Sequence, residues 1–314
     1  MADFRFGFNV FGIRSRRQFV ERCRTAEAQG YDIALAPDHL GAPAPFPVLI
    51  AAAEATERLR VGTLVLNVGF WNSHLLAREV ATADLLTDGR LELGLGSGHM
   101  RWEFEAAGIE WEPFAARADR LERTIEELGR LFGGPDYEER APLRDAYDLP
   151  ELRPVQRKGF GGSGPPLLVG GTGDTVLRLA ARHADTVGHA GAIQVKGRPP
   201  GTFRLATAAE MDERVRFVRE QAGPRADEME SNVLVQMVAV TPDRRSVAEH
   251  LVSEQLSFCT VEEALDTPLL LIGTEEQIAE QLRENRERYG FTYITVHEPF
   301  MAEFAPVIER LRSG

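Results

Sequence analysis

Two histidines and one carboxylate stand where short apolar runs of the chain end. Asp38 and His39 follow the run IALAP, and His99 follows the run LELGLGSG. An imidazole beside a carboxylate can donate or accept a proton, because the unperturbed pKa of histidine lies near neutrality. The structural alternative is an aspartate that caps the next loop and a histidine that packs. Spacing alone favours that alternative.

A glycine-rich turn is the second candidate. The residues Gly170, Gly171, Thr172 and Gly173 follow an apolar run and precede a helical pattern that begins with Asp174. Glycines let the backbone approach an oxyanion closely, and the start of a helix offers free N–H groups to a phosphate. A tight turn with a threonine or aspartate helix cap explains the same residues equally well.

The segment Gly94-Leu-Gly96-Ser-Gly98 resembles half of a dinucleotide-binding fingerprint. Its spacing departs from G-x-G-x-x-G, and the following Met-Arg-Trp-Glu does not obviously open a helix. Such glycines are also found at strand ends where a bulky group, a cofactor ring for example, lies against the backbone. A nicotinamide-binding Rossmann fold is disfavoured, because no G-x-G-x-x-G follows the first strand.

Alternating strand and helix patterns must position these residues. Eight runs have strand character: FRFGFNV, IALAPDH, RVGTLVLN, RLELGLGSG, PPLLVGG, DTVGHAG, NVLVQMVAVT and FTYITVHEP. Amphipathic segments separate them, which predicts a parallel sheet buried on both faces. Eight such units favour a closed (β/α)8 TIM barrel over an open sheet. We predict one domain over residues 1–314, with irregular insertions at about 133–164 and 192–208.

Composition narrows the class of protein. The 314 residues carry a net charge of -12, which argues against nucleic acid as the main partner. Cys23 and Cys259 make neither a disulfide framework nor a zinc pattern, so no metal is expected. We find no pattern of a signal peptide and no apolar run long enough for a membrane span. A cytoplasmic enzyme with a small-molecule substrate is the simplest expectation.

Several longer stretches resemble a known family. These are APDHLG, TERLRVGTLVLN, LAREVATADLLTDGRLELGLGSG, PPLLVGGTGDTVLRLAARHADTVG and LLLIGTEEQIAEQLRENRERYGFTYITV. They resemble the luciferase-like monooxygenase superfamily, and most closely its oxidoreductases that depend on the deazaflavin coenzyme F420. The resemblance implies a TIM barrel with insertions, a flavin or deazaflavin in the barrel mouth, and a homodimer.

The resemblance also implies roles for particular residues. His39 matches the histidine that lies close to the reactive ring in the deazaflavin enzymes, and a non-proline cis peptide is expected near Leu66, Asn67 and Val68. Cofactor phosphate would be held by the glycine turn and by the end of strand six. The catalytic residues would be His39 and then His99. The cofactor-binding set would be Asp38, Asn67, Val68, Gly96, Gly98, Gly170, Gly171, Thr172, Gly173, Ala190 and Gly191.

The chain departs from the sugar-phosphate dehydrogenases of that family in three places. They carry a tryptophan shortly after the strand-two histidine, where this chain reads LGAPAPFP. They carry a glutamate after the fourth strand, where this chain has His99. A proline common before the third helix is replaced by Asn72-Ser73-His74. Their substrate and acid–base scheme are therefore not transferred.

The leading hypothesis is hydride transfer between F420 and a small organic substrate. The first alternative is an FMN-dependent monooxygenase served by a separate reductase, and the second is a flavin-binding protein without turnover. F420 carries an oligoglutamate tail, which a basic groove would favour. Such a groove could be formed by Arg153, Arg157, Lys158, Lys196 and Arg198, although each is also explained as ordinary solvated charge.

Overall fold

The computed structural model describes residues 3–133, 142–198, 201–254, 256 and 259–313. Its strands, in chain order, are β1 Arg5–Asn9, β2 Ile33–Ala36, β3 Arg60–Thr63, β4 Leu66–Asn67, β5 Leu91–Gly96, β6 Leu167–Gly171, β7 Thr186–His189, β8 Ala192–Gln194, β9 Phe203–Leu205, β10 Glu230–Val235, β11 Met237–Val240, β12 Leu270–Gly273 and β13 Phe291–His297. Its α-helices are α1 Arg16–Ala28, α2 Pro45–Ala55, α3 Ser73–Leu86, α4 Arg101–Ala106, α5 Phe114–Leu131, α6 Pro142–Tyr147, α7 Asp174–His183, α8 Ala208–Ala222, α9 Arg244–Glu254, α10 Val261–Asp266, α11 Glu275–Tyr289 and α12 Met301–Ser313.

Eight parallel strands close into a barrel, as the sequence predicts. The ring runs β1, β2, β3, β5, β6, β7, β10 and β13, and β13 pairs with β1 to complete it. β4 continues the third strand and pairs with β5. All strand ends that carry candidate residues therefore meet at one end of the barrel, which is where sites form in this architecture.

The barrel interior is packed with side chains and leaves no pore through the described part of the chain. Ile33, Leu35, Leu168 and Tyr293 form its inner cluster, with Leu64 and Val65 packed against them. The amino end is closed by ion pairs, in which the Glu92 carboxylate lies 2.9 Å from Arg5 and 2.5 Å from Arg60. The candidate residues of the sequence analysis lie at the opposite end, where the strands have their carboxyl termini.

Several of the surrounding helices begin and end at residues with typical capping side chains. Ser15 caps α1, on which Phe19, Cys23 and Ala26 are buried. Threonines form capping boxes at the starts of α8, α10 and α11. α11 ends at Gly290, whose positive φ of 80° suits a residue without a side chain. No helix among the described residues is long and apolar enough to cross a membrane.

Two expected strands are interrupted. RVGTLVLN forms β3 and β4, separated by a cis peptide between Leu64 and Val65. This cis peptide was expected from the sequence near Leu66, Asn67 and Val68, which was wrong by about two residues. NVLVQMVAVT forms β10 and β11, divided at Gln236, because β11 leaves the barrel to pair with β12. β12 was not among the predicted strands.

The two insertions differ in regularity. In the first, α6 is a short helix and residues 134–141 lie outside the described residues. The second was expected to be irregular, which was wrong in part: β8 and β9 form an antiparallel hairpin across it. The segment after Gly98 was also misjudged, because Arg101 opens α4.

Candidate active site

The His39 side chain stands at the barrel mouth just beyond β2 and is held by a buried carboxylate. Its Nδ1 lies 2.9 Å from Oε1 of Glu103, and the backbone N–H of Leu40 donates to the same oxygen at 3.1 Å. The Glu103 side chain is 2% exposed, whereas that of His39 is 36% exposed. The imidazole is therefore fixed on one edge and accessible elsewhere.

Asp38 points away from His39. Its Oδ2 accepts hydrogen bonds from the backbone N–H of Asn67 at 3.1 Å and from Nε1 of Trp71 at 2.9 Å. Burial raises the pKa of Asp38, and these two donors lower it only in part. Asp38 therefore does not cap the loop that follows it, and its carboxylate instead joins the end of the second strand to the segment after the third.

His99 is brought beside His39. The two ring centroids are 5.4 Å apart with the planes perpendicular, and the far side of His99 meets the Phe203 ring at 5.7 Å. Part of the His99 ring reaches solvent, yet the protein atoms around it displace enough water to lower its pKa. Charge on His39 lowers that pKa further, against the opposing effect of Glu103.

The loop that carries His99 is held in place by Arg117. Arg117 stacks on the Trp111 ring at 3.7 Å and donates to the carbonyl oxygen of Gly98. Gly98 has a φ of +74°, and a Cβ there would lie 2.5 Å from Oδ1 of Asn67. A side chain at residue 98 would therefore push apart the ends of the third and fourth strands.

Val65, next to the cis peptide, fills the space that the glycines leave. A Cβ added at Gly96 would lie 2.7 Å from Val65 Cγ2, and one at Gly170 would lie 3.3 Å from Cγ1. Val65 thus approaches both glycines and leaves no room for a Cβ at Gly96. Val68, by contrast, is 1% exposed and belongs to the main core.

The glycine turn leads into a helix that no side chain caps. Gly173 is the N-cap residue of α7, and the first-turn N–H groups of the helix donate to no capping side chain. Asp174 pairs instead with Arg214, and Thr172 is half-buried. The threonine or aspartate cap considered from the sequence was therefore wrong. The first-turn N–H groups of α7 are free to donate hydrogen bonds to an anion.

Ala190 and Gly191 begin the hairpin segment. The carbonyl oxygen of Gly191 accepts from the N–H of Ala206 at 2.8 Å, which closes the base of the hairpin. Gly191 has a φ of 62°, and a Cβ there would lie 2.4 Å from Leu269. Gly191 is buried, whereas Ala190 is half-buried.

The five basic residues that the sequence suggested for the oligoglutamate tail do not form one groove. Lys158 lines a cavity of about 560 Å³ at the amino end of the barrel, together with Arg5, Glu92 and Asp185. Arg153 pairs with Glu151 at 2.5 Å, and Arg157 donates to backbone carbonyls of its own loop. The expectation of a common groove was wrong, because only Lys196 and Arg198 belong to the hairpin that reaches His99.

Two further histidines at strand ends, His189 and His297, pack against aromatic side chains. His189 is 3% exposed, contacts Phe291 at 5.3 Å between ring centroids, and has a pKa lowered to about 4 by burial. His297 packs against Phe11, and burial lowers its pKa as well. His39 and His99 are therefore the histidines that face each other at the mouth.

Sequence reasoning missed Glu103, Trp71 and Val65. Glu103 lies in the first turn of α4, which begins at Arg101, just after His99. It was not considered because the segment after Gly98 did not read as a helix start. Trp71 and Val65 gave no sequence signal, since their partners come from other strands.

Comparison with known proteins defines the family. The model of the family described as luciferase-like monooxygenase matches residues 8–293, so the chain belongs to this family. An F420-dependent glucose-6-phosphate dehydrogenase of Kribbella flavida is 28% identical over 307 residues, covering 90% of this chain and 88% of the relative. That of Amycolatopsis mediterranei is 34% identical over 187 residues, covering 54% and 52%. The matched segment thus spans about half the length of the latter.

Solved structures share the fold. An F420-dependent secondary alcohol dehydrogenase, in complex with an F420–acetone adduct, superposes with a TM-score of 0.71 at 16% identity, covering 99% of this chain and all of the other. A long-chain alkane monooxygenase superposes with a TM-score of 0.70 at 15% identity, covering 100% and 92%. At such identities the likeness concerns the barrel architecture alone.

Proposed function

We propose that this chain binds coenzyme F420 in the barrel mouth and transfers a hydride between it and a small organic substrate. The observation that carries the proposal is the His39 imidazole, which is fixed by Glu103 and open to the mouth. The names of the curated relatives, F420-dependent glucose-6-phosphate dehydrogenases, support the same cofactor.

The residues at the mouth fit such a cofactor. The start of α7 offers first-turn N–H groups to a phosphate. The Asn67 amide is 5% exposed, and its Nδ2 has no hydrogen-bond partner among the described residues. Val65 presents a half-buried apolar side chain between Gly96 and Gly170, suited to packing against a flat ring. We therefore assign Asp38, Asn67, Gly96, Gly98, Gly170–Gly173, Ala190 and Gly191 to the cofactor site, with Val65 in place of Val68.

When bound, F420 supplies two electrons as a hydride. This chain's own residues would orient the substrate, exclude water and move a proton. His39 exchanges that proton through Nε2, because Nδ1 is engaged by Glu103. His99, whose lowered pKa keeps the ring neutral near pH 7, offers a second uncharged hydrogen-bonding group. His39 and His99 are thus the proposed catalytic residues.

The substrate need not be a sugar phosphate. The mouth is bordered by apolar side chains that are partly exposed, namely Phe11, Leu40 and Phe203. The segment LGAPAPFP directly after His39 holds no tryptophan, and His99 stands where the sugar-phosphate enzymes carry glutamate. An uncharged alcohol, carbonyl or enone compound is better suited to these surroundings than glucose 6-phosphate.

We further propose a single-domain cytoplasmic homodimer. One apolar cluster extends from Phe6 to Ile308, which supports a single folded unit. α3 exposes Leu75, Leu85 and Leu86, each about half accessible, and such side chains are suited to a subunit contact. Sedimentation at micromolar concentration would measure the association.

The test is a titration of the purified protein with F420 and, separately, with FMN, followed by fluorescence. Oxidised F420 is then supplied with 2-propanol or glucose 6-phosphate, and reduced F420 with cyclohexenone or benzaldehyde. We expect tighter binding of F420 and turnover that consumes no oxygen. Tight FMN binding with oxygen-dependent product formation would support the monooxygenase alternative. Binding of either cofactor without turnover of any compound would support a flavin-binding protein.

A further inference from the structure

Glu103 has no part in the proposed function beyond its contact with His39, yet its surroundings are unusually well defined. It lies in the first turn of α4, and its backbone N–H donates to Met100 O at 3.1 Å. The next residue, Phe104, is 1% exposed and packs against Phe70 and Trp111 at 5.3 Å and 5.0 Å between ring centroids. This packing fixes the position of the carboxylate.

The hydrogen bonds of Glu103 determine which nitrogen of His39 carries the proton. Oε1 already accepts from the backbone N–H of Leu40, and an ionised carboxylate can only accept. The hydrogen in the 2.9 Å contact between Oε1 and Nδ1 therefore belongs to the imidazole. In the neutral ring, Nε2 is then left with a free lone pair on the edge that points away from Glu103.

We infer that Glu103 is a positioning residue for hydride transfer: it holds His39 in the Nδ1–H tautomer and keeps Nε2 free to exchange a proton with the substrate. The inference rests on the proposed function for its catalytic consequence, but the tautomer is a property of the protein alone. A carboxylate that orients an imidazole in this way also stabilises the imidazolium that forms when Nε2 takes a proton.

A purely structural role is the competing explanation. Glu103 also fixes the backbone at Leu40, so removing it could disturb the loop without any effect specific to the imidazole. Glu103→Gln retains an oxygen for Leu40 while replacing the charge with an amide. Glu105→Gln is the matched control, because Glu105 lies on the same helix, is exposed and forms an ion pair with Arg101 rather than with His39.

The first measurement is the ¹⁵N spectrum of the histidine rings in the full-length protein, without cofactor, with His39 assigned from the His39→Ala variant. We expect the Nδ1–H tautomer for His39 in the wild type and in Glu105→Gln, and a mixture of tautomers in Glu103→Ala, which removes the acceptor oxygen from Nδ1. An Nε2–H tautomer in the wild type overturns the inference without any variant. Failure of F420 to bind would overturn the proposed function but leave this measurement decisive.

The second measurement is a double-mutant cycle on the hydride-transfer rate, using the compound of the above panel with the highest turnover. Glu103→Gln should lower that rate by about 10- to 100-fold, the usual range for a group that orients a reacting residue. Its F420 affinity should stay within about twofold of the wild type, and it should have no further effect in the His39→Ala background. An equal loss in both backgrounds, or a wild-type rate in Glu103→Gln, would refute the positioning role.

Discussion

The Asp38 carboxylate and the Trp71 indole are joined by a 2.9 Å hydrogen bond that links the loops following the second and third strands. Asp38 and His39 are neighbours in sequence, but their side chains point to opposite sides of an extended segment. One therefore holds the scaffold of the mouth, and the other faces the space where a reaction can occur.

Replacement of His39 tests its chemical role. His39→Ala should leave F420 affinity nearly unchanged and lower turnover by roughly 100- to 10,000-fold, the usual contribution of a positioned acid–base group. His99→Ala should lose less. Steady-state kinetics with the panel compounds and fluorescence titration measure the two effects. His250→Ala, which alters an exposed histidine, is the control. A near-normal rate in His39→Ala would make His99 the next candidate.

Removal of the Asp38 carboxylate should affect the scaffold more than the chemistry. Asp38→Ala leaves the Asn67 N–H and the Trp71 indole N–H without their acceptor. We expect the free energy of unfolding to fall by about 2 kcal/mol, because buried donors without partners are costly. Trp71→Phe removes one of the two bonds and should cost less. Urea unfolding measures both, and equal stability of Asp38→Ala and the wild type would contradict the role.

A negative charge at the start of α7 should specifically weaken cofactor binding. A Cβ at Gly173 would have nothing within 4 Å, and the φ of this residue is -80°, so substitution is sterically tolerated. Gly173→Asp would cap the helix but repel a phosphate, whereas Gly173→Asn would cap it without charge. We expect Gly173→Asp to bind F420 at least about tenfold more weakly than Gly173→Asn. Equal affinities of the two variants for F420 would show that this turn does not bind the cofactor phosphate.

The buried imidazole of His189 should make stability depend on pH. Its folded-state pKa of about 4 lies below the usual value near 6.5, so below that value the unfolded chain takes up a proton that the folded chain refuses. The full contribution of His189 to the free energy of unfolding is therefore present above about pH 7. It is lost as pH falls, and at pH 5 the free energy of unfolding is lower by about 2 kcal/mol. Urea midpoints at pH 7 and pH 5 measure it.

His189→Leu should remove that part of the pH dependence, even if its stability at pH 7 is lower. His250→Leu should retain it, since His250 is exposed. An unchanged difference between pH 7 and pH 5 in His189→Leu would assign the acid sensitivity to other groups.

The fold could be predicted from the sequence because local periodicity and the order of the elements carry it. Runs with strand character such as RLELGLG and FTYITVH alternate with amphipathic helical segments, which indicates parallel strands covered by helices. β12 was missed because Leu270–Gly273 pairs outside the barrel, and nothing in four apolar residues specifies a partner. The β8–β9 hairpin was missed because Gly and Pro dominate its turn.

The candidate site was predictable only in part. Strand-end position identified His39 and His99, since parallel strands end together. It could not separate His39 from His189, which differ in the direction of the side chain and hence in burial. Partners that come from distant segments, such as Glu103 for His39, depend on how α4 packs, and that packing is set by Phe104 and Trp111.

The short parallel pair of β11 and β12 has a consequence for how this enzyme family can diversify. With α9 and α10 it buries a small apolar cluster of its own, consisting of Ala248, Leu251, Ala264, Leu270 and Ile272. The segment leaves the wall after Val235 and rejoins the helical layer at Glu275, and Gln236 N–H bonds to Leu269 O at 2.8 Å across its base. The residues of this small cluster can therefore vary together without altering the eight-stranded frame, whereas Val238, Leu269 and Leu271 of the same segment are part of the main core.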